Sequence, residues 1–142
     1  MPTQTWALTE SDVSGLLRSV TDSAREQGIA VTVAVVETGG NIIGLARMDG
    51  ARLPSTHVAP MKAWTAAMFQ RPSSAYQEST SPGGGAFGLW NAFPGRLVPL
   101  GGGIPLFVGD TCVGAVGVSG GTSDQDEQLA VAAATLLHDA GA

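Results

Sequence analysis

Two side chains near the middle of the chain could move a proton or hold an anion. His57 and Lys62 lie within the stretch STHVAPMKAWTAAMF, and Lys62 is the only lysine of the chain. A helix that advances about 100° per residue places Lys62 beside Val58 and Phe69, and alanines fill another side. No fully solvated charged face remains, so the ammonium group must reach water along its neighbours or meet an anion inside the protein.

Lys62 therefore has several roles that the sequence leaves open. A structural ion pair or a snorkelling side chain would need no ligand. In a pocket, Lys62 would instead anchor a carboxylate as a point charge or, once desolvated, attack a carbonyl as a Schiff-base nucleophile. It is a candidate for both ligand binding and catalysis.

His57 is expected in the first turn of the same helix, where the helix dipole disfavours a charged imidazolium. A neutral imidazole can ligate iron or act as a general base. His57 is therefore a candidate metal ligand, cofactor contact and catalytic residue. The alternative is a core or interface histidine that bonds to a backbone carbonyl.

Three other positions add candidates. Glu37 and Arg47 are expected at the open ends of two strands of a hairpin, where they can oppose one another as a cross-strand salt bridge. Glu37 is also a second candidate for moving a proton. Backbone N–H groups of the triple glycine that ends with Gly102 and Gly103 can bind a carboxylate, although turn geometry explains glycine there equally well.

Hydrophobic periodicity predicts the elements that carry these residues. A first helix begins with Thr9 as N-cap and Asp12 in the capping-box position. A second helix is capped by Ser55 or Thr56 and ends at Phe69, before a proline. Alternating apolar residues predict one hairpin after the first helix and a second hairpin after the long segment that follows the second helix. A last helix ends the chain. This order predicts an α+β fold, an α/β/α sandwich with a central antiparallel sheet flanked by helices.

The segment between the second helix and the second hairpin, from Pro72 to Gly103, is rich in Gly, Pro and Ser but also contains aromatic residues. Structureless loops of this length are uncommon in compact domains. They usually act as lids, binding loops or contacts between subunits. The aromatic residues argue against simple disorder.

Composition limits the class of protein. The 142 residues fit one domain, residues 1–142. Only 13% are charged against 44% hydrophobic, which favours burial of surface in a homo-oligomer, a dimer or larger ring. A net charge of -5 without a basic stripe argues against nucleic acid. With no long apolar run and no leader pattern, we expect a cytoplasmic protein that does not contact membranes.

Three stretches of the sequence are distinctive when taken together: ARMDGA, KAWTAAMF, and GGIPL followed by GAVGVSGGTSDQDEQLA. They resemble the GlcG/HbpS family, which also includes the carboxy-terminal domain of PduO-type proteins. The resemblance covers nearly the whole chain and implies an α/β/α sandwich, assembly into dimers and larger rings, and in several members binding of haem or another tetrapyrrole. It also implies that Lys62 and Arg47 lie beside the family pocket. His57 departs from the family pattern.

Three functions follow as hypotheses. The first is a small-ligand binding protein of the haem type, in which His57 ligates the iron, Lys62 and Arg47 hold the propionates, and Phe69 and other aromatic residues cover the macrocycle. The second is a cofactor-independent lyase, isomerase or cyclase that acts on a small carbonyl or carboxylate compound. The third is an accessory assembly protein.

Overall fold

The computed structural model describes residues 1–140, so the last two residues of the predicted domain lie outside the described residues. Four α-helices and four strands follow one another along the chain. They are α1 Glu10–Glu26, β1 Thr32–Val36, β2 Ile42–Arg47, α2 Ser55–Phe69, α3 Gln77–Thr80, β3 Gly103–Val108, β4 Thr111–Ser119 and α4 Ser123–Ala140. Two short 3₁₀ turns, at Ser73–Tyr76 and Leu89–Ala92, lie within the long connection between α2 and β3.

The four strands form one antiparallel sheet in the order β2-β1-β4-β3. Helices α1 and α4 pack on one face of this sheet, and α2 packs on the other face. The predicted α+β fold, a sheet flanked by helices, is confirmed. Strand β1 lies inside the sheet with a helix on each side, and all five of its residues are buried.

Helix α1 begins as the sequence predicts. The Thr9 side chain accepts a hydrogen bond from the Asp12 backbone N–H, and the Asp12 carboxylate accepts one from the Thr9 N–H. These two bonds satisfy N–H groups that the first helical turn leaves without partners. The buried stripe of α1 then packs with α4 on the larger core cluster; it consists of Val13, Leu16, Val20 and Ala24.

Helix α2 lies unusually close to the sheet because small residues face each other. Its alanine flank is fully or almost fully buried, and consists of Ala59, Ala63, Ala66 and Ala67. A Cβ atom built on Gly103 would lie 2.1 Å from the carbonyl oxygen of Lys62, and one built on Gly117 would lie 2.1 Å from that of Ala59. Glycine is therefore required at both positions, since any side chain would push the helix away.

The start of α2 differs from the prediction. Its N-cap is Pro54, and no side chain caps the helix. The Ser55 hydroxyl instead donates to the Arg52 carbonyl oxygen at 2.6 Å and lies 2.8 Å from the Thr32 hydroxyl. The predicted cap was wrong because the serine is turned toward the sheet, where it ties the first turn of α2 to the start of β1.

In the described part of the chain, no helix is long and apolar enough to cross a membrane.

Substitution of Gly117 tests how closely α2 approaches the sheet. We expect Gly117→Ala to lower the free energy of unfolding by about 1–3 kcal/mol, because the added methyl group overpacks the interface. Gly15 in α1 is the matched control, since a Cβ atom there meets nothing within 4 Å. Gly15→Ala should raise stability by about 0.5–1 kcal/mol. Urea unfolding measures both; equal effects would contradict this description.

Candidate functional site

Lys62 forms a buried ion pair within its own chain. Its ammonium nitrogen lies 3.1 Å from a carboxylate oxygen of Asp126 and donates to the Val118 carbonyl oxygen at 3.0 Å. The other Asp126 oxygen accepts the Gly121 N–H at 2.8 Å. The two side chains are only 4% and 2% exposed. Of the alternatives left open by the sequence, this geometry is that of a structural ion pair, and the side chain does not snorkel.

Gly102 and Gly103 pack against Lys62, and their backbone does not form an exposed anion-binding loop. A Cβ atom on Gly102 would lie 2.9 Å from Cδ and 3.0 Å from Nζ of Lys62. The Gly103 N–H donates to the Ser73 hydroxyl at 2.9 Å, and the Gly102 carbonyl accepts from the Val118 N–H. Both glycines are buried. In this arrangement they allow close packing, and their role in cofactor binding stays a prediction.

Glu37 and Arg47 lie at opposite ends of the first hairpin. The Glu37 carboxylate accepts from the backbone N–H and the side-chain amide of Asn41, within the turn. Arg47 pairs in register with Thr32 and donates to the Ala51 carbonyl oxygen at 3.2 Å. The predicted cross-strand salt bridge was wrong, because the residue just before a hairpin turn cannot face the last residue of the second strand.

His57 lies in the first turn of α2, and its side chain is exposed. One turn later on the same stripe come Pro60 and Met61, followed by Trp64. The stripe runs beside the outer part of the sheet, where α2 covers β1, β4 and β3 and leaves β2 largely uncovered. The β2 residues on this side consequently stay accessible; Ile42 is 55% and Leu45 38% exposed.

A groove runs between this helical stripe and β2, and we call it the β2–α2 groove. It is shallow and open to solvent, has a volume of about 150 Å³, and is lined by Gly40, Ile42, Pro60, Met61, Trp64, Gly95 and Arg96. The Arg96 guanidinium lies 5.8 Å from the centre of the Trp64 ring, so one end of the groove carries a positive charge. His57 and Arg47 are not among the lining residues; they lie beyond the other end, where the first turn of α2 meets the start of β1.

Phe69 belongs to an aromatic cluster on the outer surface of α2. Its ring centre lies 4.8 Å from that of Tyr76 and 5.8 Å from that of Phe93, and Phe93 lies 5.4 Å from Trp64. The long connection thus folds its aromatic residues back on α2 of the same chain. Trp90 remains partly exposed and contacts Phe87. Phe69 supports the end of α2 that carries Trp64.

The structure therefore separates the predicted site residues. His57 and Arg47 lie at one end of the β2–α2 groove, Lys62 faces β4 and α4, and Glu37 completes a turn at the far end of the hairpin. Within the described part of the chain, no three His, Cys, Asp or Glu side chains form a metal-binding group. His57 is a candidate for single coordination of an iron that a macrocycle already holds.

Two residues that shape the candidate site were not predicted from the sequence. Asp126 was absent from the candidates, although it lies in the first turn of a predicted helix and could have been proposed as the anion for the lone lysine. Arg96, which lies in the long connection between α2 and β3, was also not among the predicted site residues. No local pattern marks it, because its position over Trp64 depends on how the connection folds.

A family model described as "Haem degrading protein HbpS-like" matches residues 8–135. The chain belongs to this family. Among curated relatives, a 15.0 kDa protein from the dhaT-dhaS intergenic region of Citrobacter freundii is 36% identical, over 81% of each chain. The corrinoid adenosyltransferase PduO of Salmonella typhimurium is 31% identical over 93% of this chain. The HbpS-like chain spans only 39% of that relative.

Solved structures agree with the family assignment. The crystal structure of Klebsiella pneumoniae protein ORFY superposes with a TM-score of 0.92 and 32% identity, covering 96% of this chain and 94% of that one. The crystal structure of a PduOC:heme complex superposes with a TM-score of 0.88 and 32% identity, covering 92% and 94%. The fold of this HbpS-like chain is therefore shared along nearly its whole length.

Substitution of Lys62 tests whether its ion pair is structural. Lys62→Met should lower the free energy of unfolding by about 3–5 kcal/mol, because Asp126 stays buried without its partner. Lys62→Met with Asp126→Asn should recover most of this loss, since no lone charge remains. The matched control is the exposed Arg25–Asp22 pair, which has the same 3.1 Å separation. Arg25→Met should change stability by at most about 1 kcal/mol.

Denaturant unfolding of the wild type and the three variants measures these changes in the free energy of unfolding. If the double variant is no more stable than Lys62→Met, a lone buried charge does not explain the loss and the description of the pair is incorrect.

Proposed function

We propose that this HbpS-like chain binds haem or a related tetrapyrrole in the β2–α2 groove. The observation that carries the proposal is an apolar groove with an exposed histidine toward one end. Membership of the HbpS-like family and the haem complex of the structurally similar PduOC support the choice of ligand class.

The groove suits a flat, largely apolar ligand with charged edges. Ile42, Met61 and Trp64 offer apolar surface to a macrocycle. His57 would supply an imidazole nitrogen to the iron, and the bound haem would supply redox or ligand-binding chemistry at that metal. This chain's own contribution is to bind and orient the macrocycle and to exclude water from its apolar face.

Cationic side chains at both ends of the groove suit the propionate groups of haem. Arg47 is exposed at one end, and Arg96 lies over Trp64 at the other. Arginine binds a carboxylate through two parallel N–H donors, which gives both affinity and orientation. Lys62 is a weaker candidate than the sequence predicts, because its ammonium group already bonds to Asp126 and Val118.

The enzyme hypothesis gains no support from the geometry. A lyase or isomerase of the predicted kind needs Lys62 beside one substrate together with His57 or Glu37 as the residue that moves a proton. The structure gives Lys62 and Glu37 separate bonding partners and leaves His57 at the surface. Ligand binding remains the function that the groove supports best.

Titration with hemin tests the proposal. We expect a Soret shift that saturates at about one haem per groove, with His57→Ala changing both its position and its affinity because the axial nitrogen is lost. The chain has only two histidines, so His138→Ala is the matched control. His138 accepts the Phe107 N–H beside β3, at the edge of the sheet opposite β2, and its loss should leave the spectrum unchanged.

Two results would count against the site. A featureless, non-saturating spectrum would reject haem binding by this chain. A saturable shift that is the same in wild type and His57→Ala but altered by His138→Ala would place the ligand elsewhere.

A further inference from the structure

A tight turn at residues 93–96 carries Arg96 to the end of the β2–α2 groove. The Arg96 N–H donates to the Phe93 carbonyl oxygen at 3.0 Å, and Pro94 and Gly95 lie between them. Gly95 has a φ of 72°. Proline at the second position and a left-handed glycine at the third are typical of a type II turn. The backbone that leads to Arg96 is therefore stiff, although it belongs to a long irregular connection.

The Thr65 hydroxyl fastens the far side of this turn to α2. It accepts a hydrogen bond from the Val98 N–H at 2.9 Å and donates to the Met61 carbonyl oxygen at 2.8 Å. The Arg96 carbonyl oxygen lies farther away, at 3.4 Å, and a hydroxyl has only one proton, so this third contact is the weakest. Thr65 is fully buried. Its side chain thus joins α2 to the backbone that follows Arg96.

Aromatic packing holds the near side of the same turn. The Phe93 ring centre lies 5.4 Å from that of Trp64 and 5.8 Å from that of Phe69, and both partners belong to α2. Arg96 therefore projects from a segment that is anchored on α2 on both sides, by rings before it and by the Thr65 hydroxyl after it. Anchoring of this kind limits the positions that a binding side chain can reach.

The guanidinium of Arg96 is available to an external anion. Within the part of the chain that the structure describes, no carboxylate forms a salt bridge with Arg96. The residue is exposed, and its guanidinium lies 5.8 Å from the centre of the Trp64 ring. An arginine that stacks on an aromatic ring keeps its N–H donors for a carboxylate. Because its place is already restricted, binding of an anion there costs less conformational entropy than binding by a mobile side chain.

We propose that Thr65 is a positioning residue for the ligand, because it holds the Arg96 segment against α2 and keeps the guanidinium over Trp64. The groove then prefers flat ligands that carry a carboxylate at this edge. This inference rests on the proposed function and adds the basis of its selectivity. Thr65 has no exposed surface and does not touch the ligand, so it acts through Arg96.

Two forms of one macrocycle separate the charge from the apolar contacts. Hemin carries propionate groups, whereas hemin dimethyl ester has the same ring and iron but no carboxylates. Ile42, Met61 and Trp64 offer the same apolar surface to both compounds. Only hemin can form charge-assisted hydrogen bonds with arginine. The ratio of the two dissociation constants therefore measures what recognition of the carboxylate adds to binding.

Removal of the Thr65 hydroxyl tests the positioning role. Thr65→Val keeps the shape of the side chain but leaves the Val98 N–H without its acceptor, which loosens the Arg96 segment. We expect the preference for hemin over the ester to fall about tenfold, the effect of one lost charge-assisted hydrogen bond, while affinity for the ester changes less than about twofold. Thr65→Ser retains the hydroxyl and should retain the preference. Absorbance titrations with both compounds measure the constants.

Two further positions show whether Thr65 acts through Arg96. Arg96→Gln should lower the preference by a similar factor, and adding Thr65→Val to it should lower the preference no further. Thr135 is the matched control, because its hydroxyl also donates to the carbonyl oxygen four residues earlier, that of Val131, at 2.9 Å. It lies exposed on α4, away from the groove. Thr135→Val should leave the preference unchanged.

Gly95 offers a second way to disturb the turn that leaves the core intact. A Cβ atom on Gly95 would meet nothing within 4 Å, so Gly95→Ala acts only by straining the backbone at a positive φ. We expect this variant to lower the preference for hemin in the same direction as Thr65→Val. Circular dichroism checks that each variant is folded.

Each result decides for or against the positioning role. An equal loss of affinity for both compounds in Thr65→Val would indicate a general disturbance of the fold and overturn the role, and so would additive losses in the double variant. If Thr65→Val is unfolded, Gly95→Ala decides by the same ratio. Saturable binding of hemin with a ratio that Thr65→Val leaves unchanged rejects the role of Thr65 and keeps the proposed function. Absence of binding of either compound to the wild type rejects both.

Discussion

The ion pair between Lys62 and Asp126 constrains most of the structure. Lys62 belongs to α2 on one face of the sheet, and Asp126 lies in the first turn of α4, which packs on the other face. The ammonium also holds the Val118 carbonyl at the end of β4. A single buried group thus ties both helical layers to the sheet. Its position fixes how α2 lies over the glycines beneath it and which stripe of α2 is left to face β2.

Local patterns in the sequence were sufficient to predict the fold. The capping box at Thr9, the alanine flank of α2 and the two hairpin signals are short-range features, and each reports the conformation of its own segment. Their order along the chain restricts the topology to a sheet covered by helices. The cap of α2 was predicted wrongly because the Ser55 hydroxyl has a competing partner in β1, which no local pattern reveals.

The candidate site was harder to predict because it depends on contacts between distant segments. Lys62 and Asp126 are 64 positions apart, and neither pattern nor spacing identifies them as partners. The same holds for Arg96 and Trp64, which meet only because the long connection folds back on α2. Residue chemistry correctly marked Lys62 as unusual. It could not decide between a ligand and an internal carboxylate, because both satisfy the same buried charge.

Closure of the β3 edge limits how far strand addition can proceed. A sheet with two open edges can add copies without end, and growth of that kind leads to fibres. Here Ser73, Pro105 and His138 close the β3 edge, so this edge offers no backbone donor to another strand. Copies of the chain therefore cannot add without end along the sheet. The features that close β3 thereby protect a chain rich in apolar strands from aggregation.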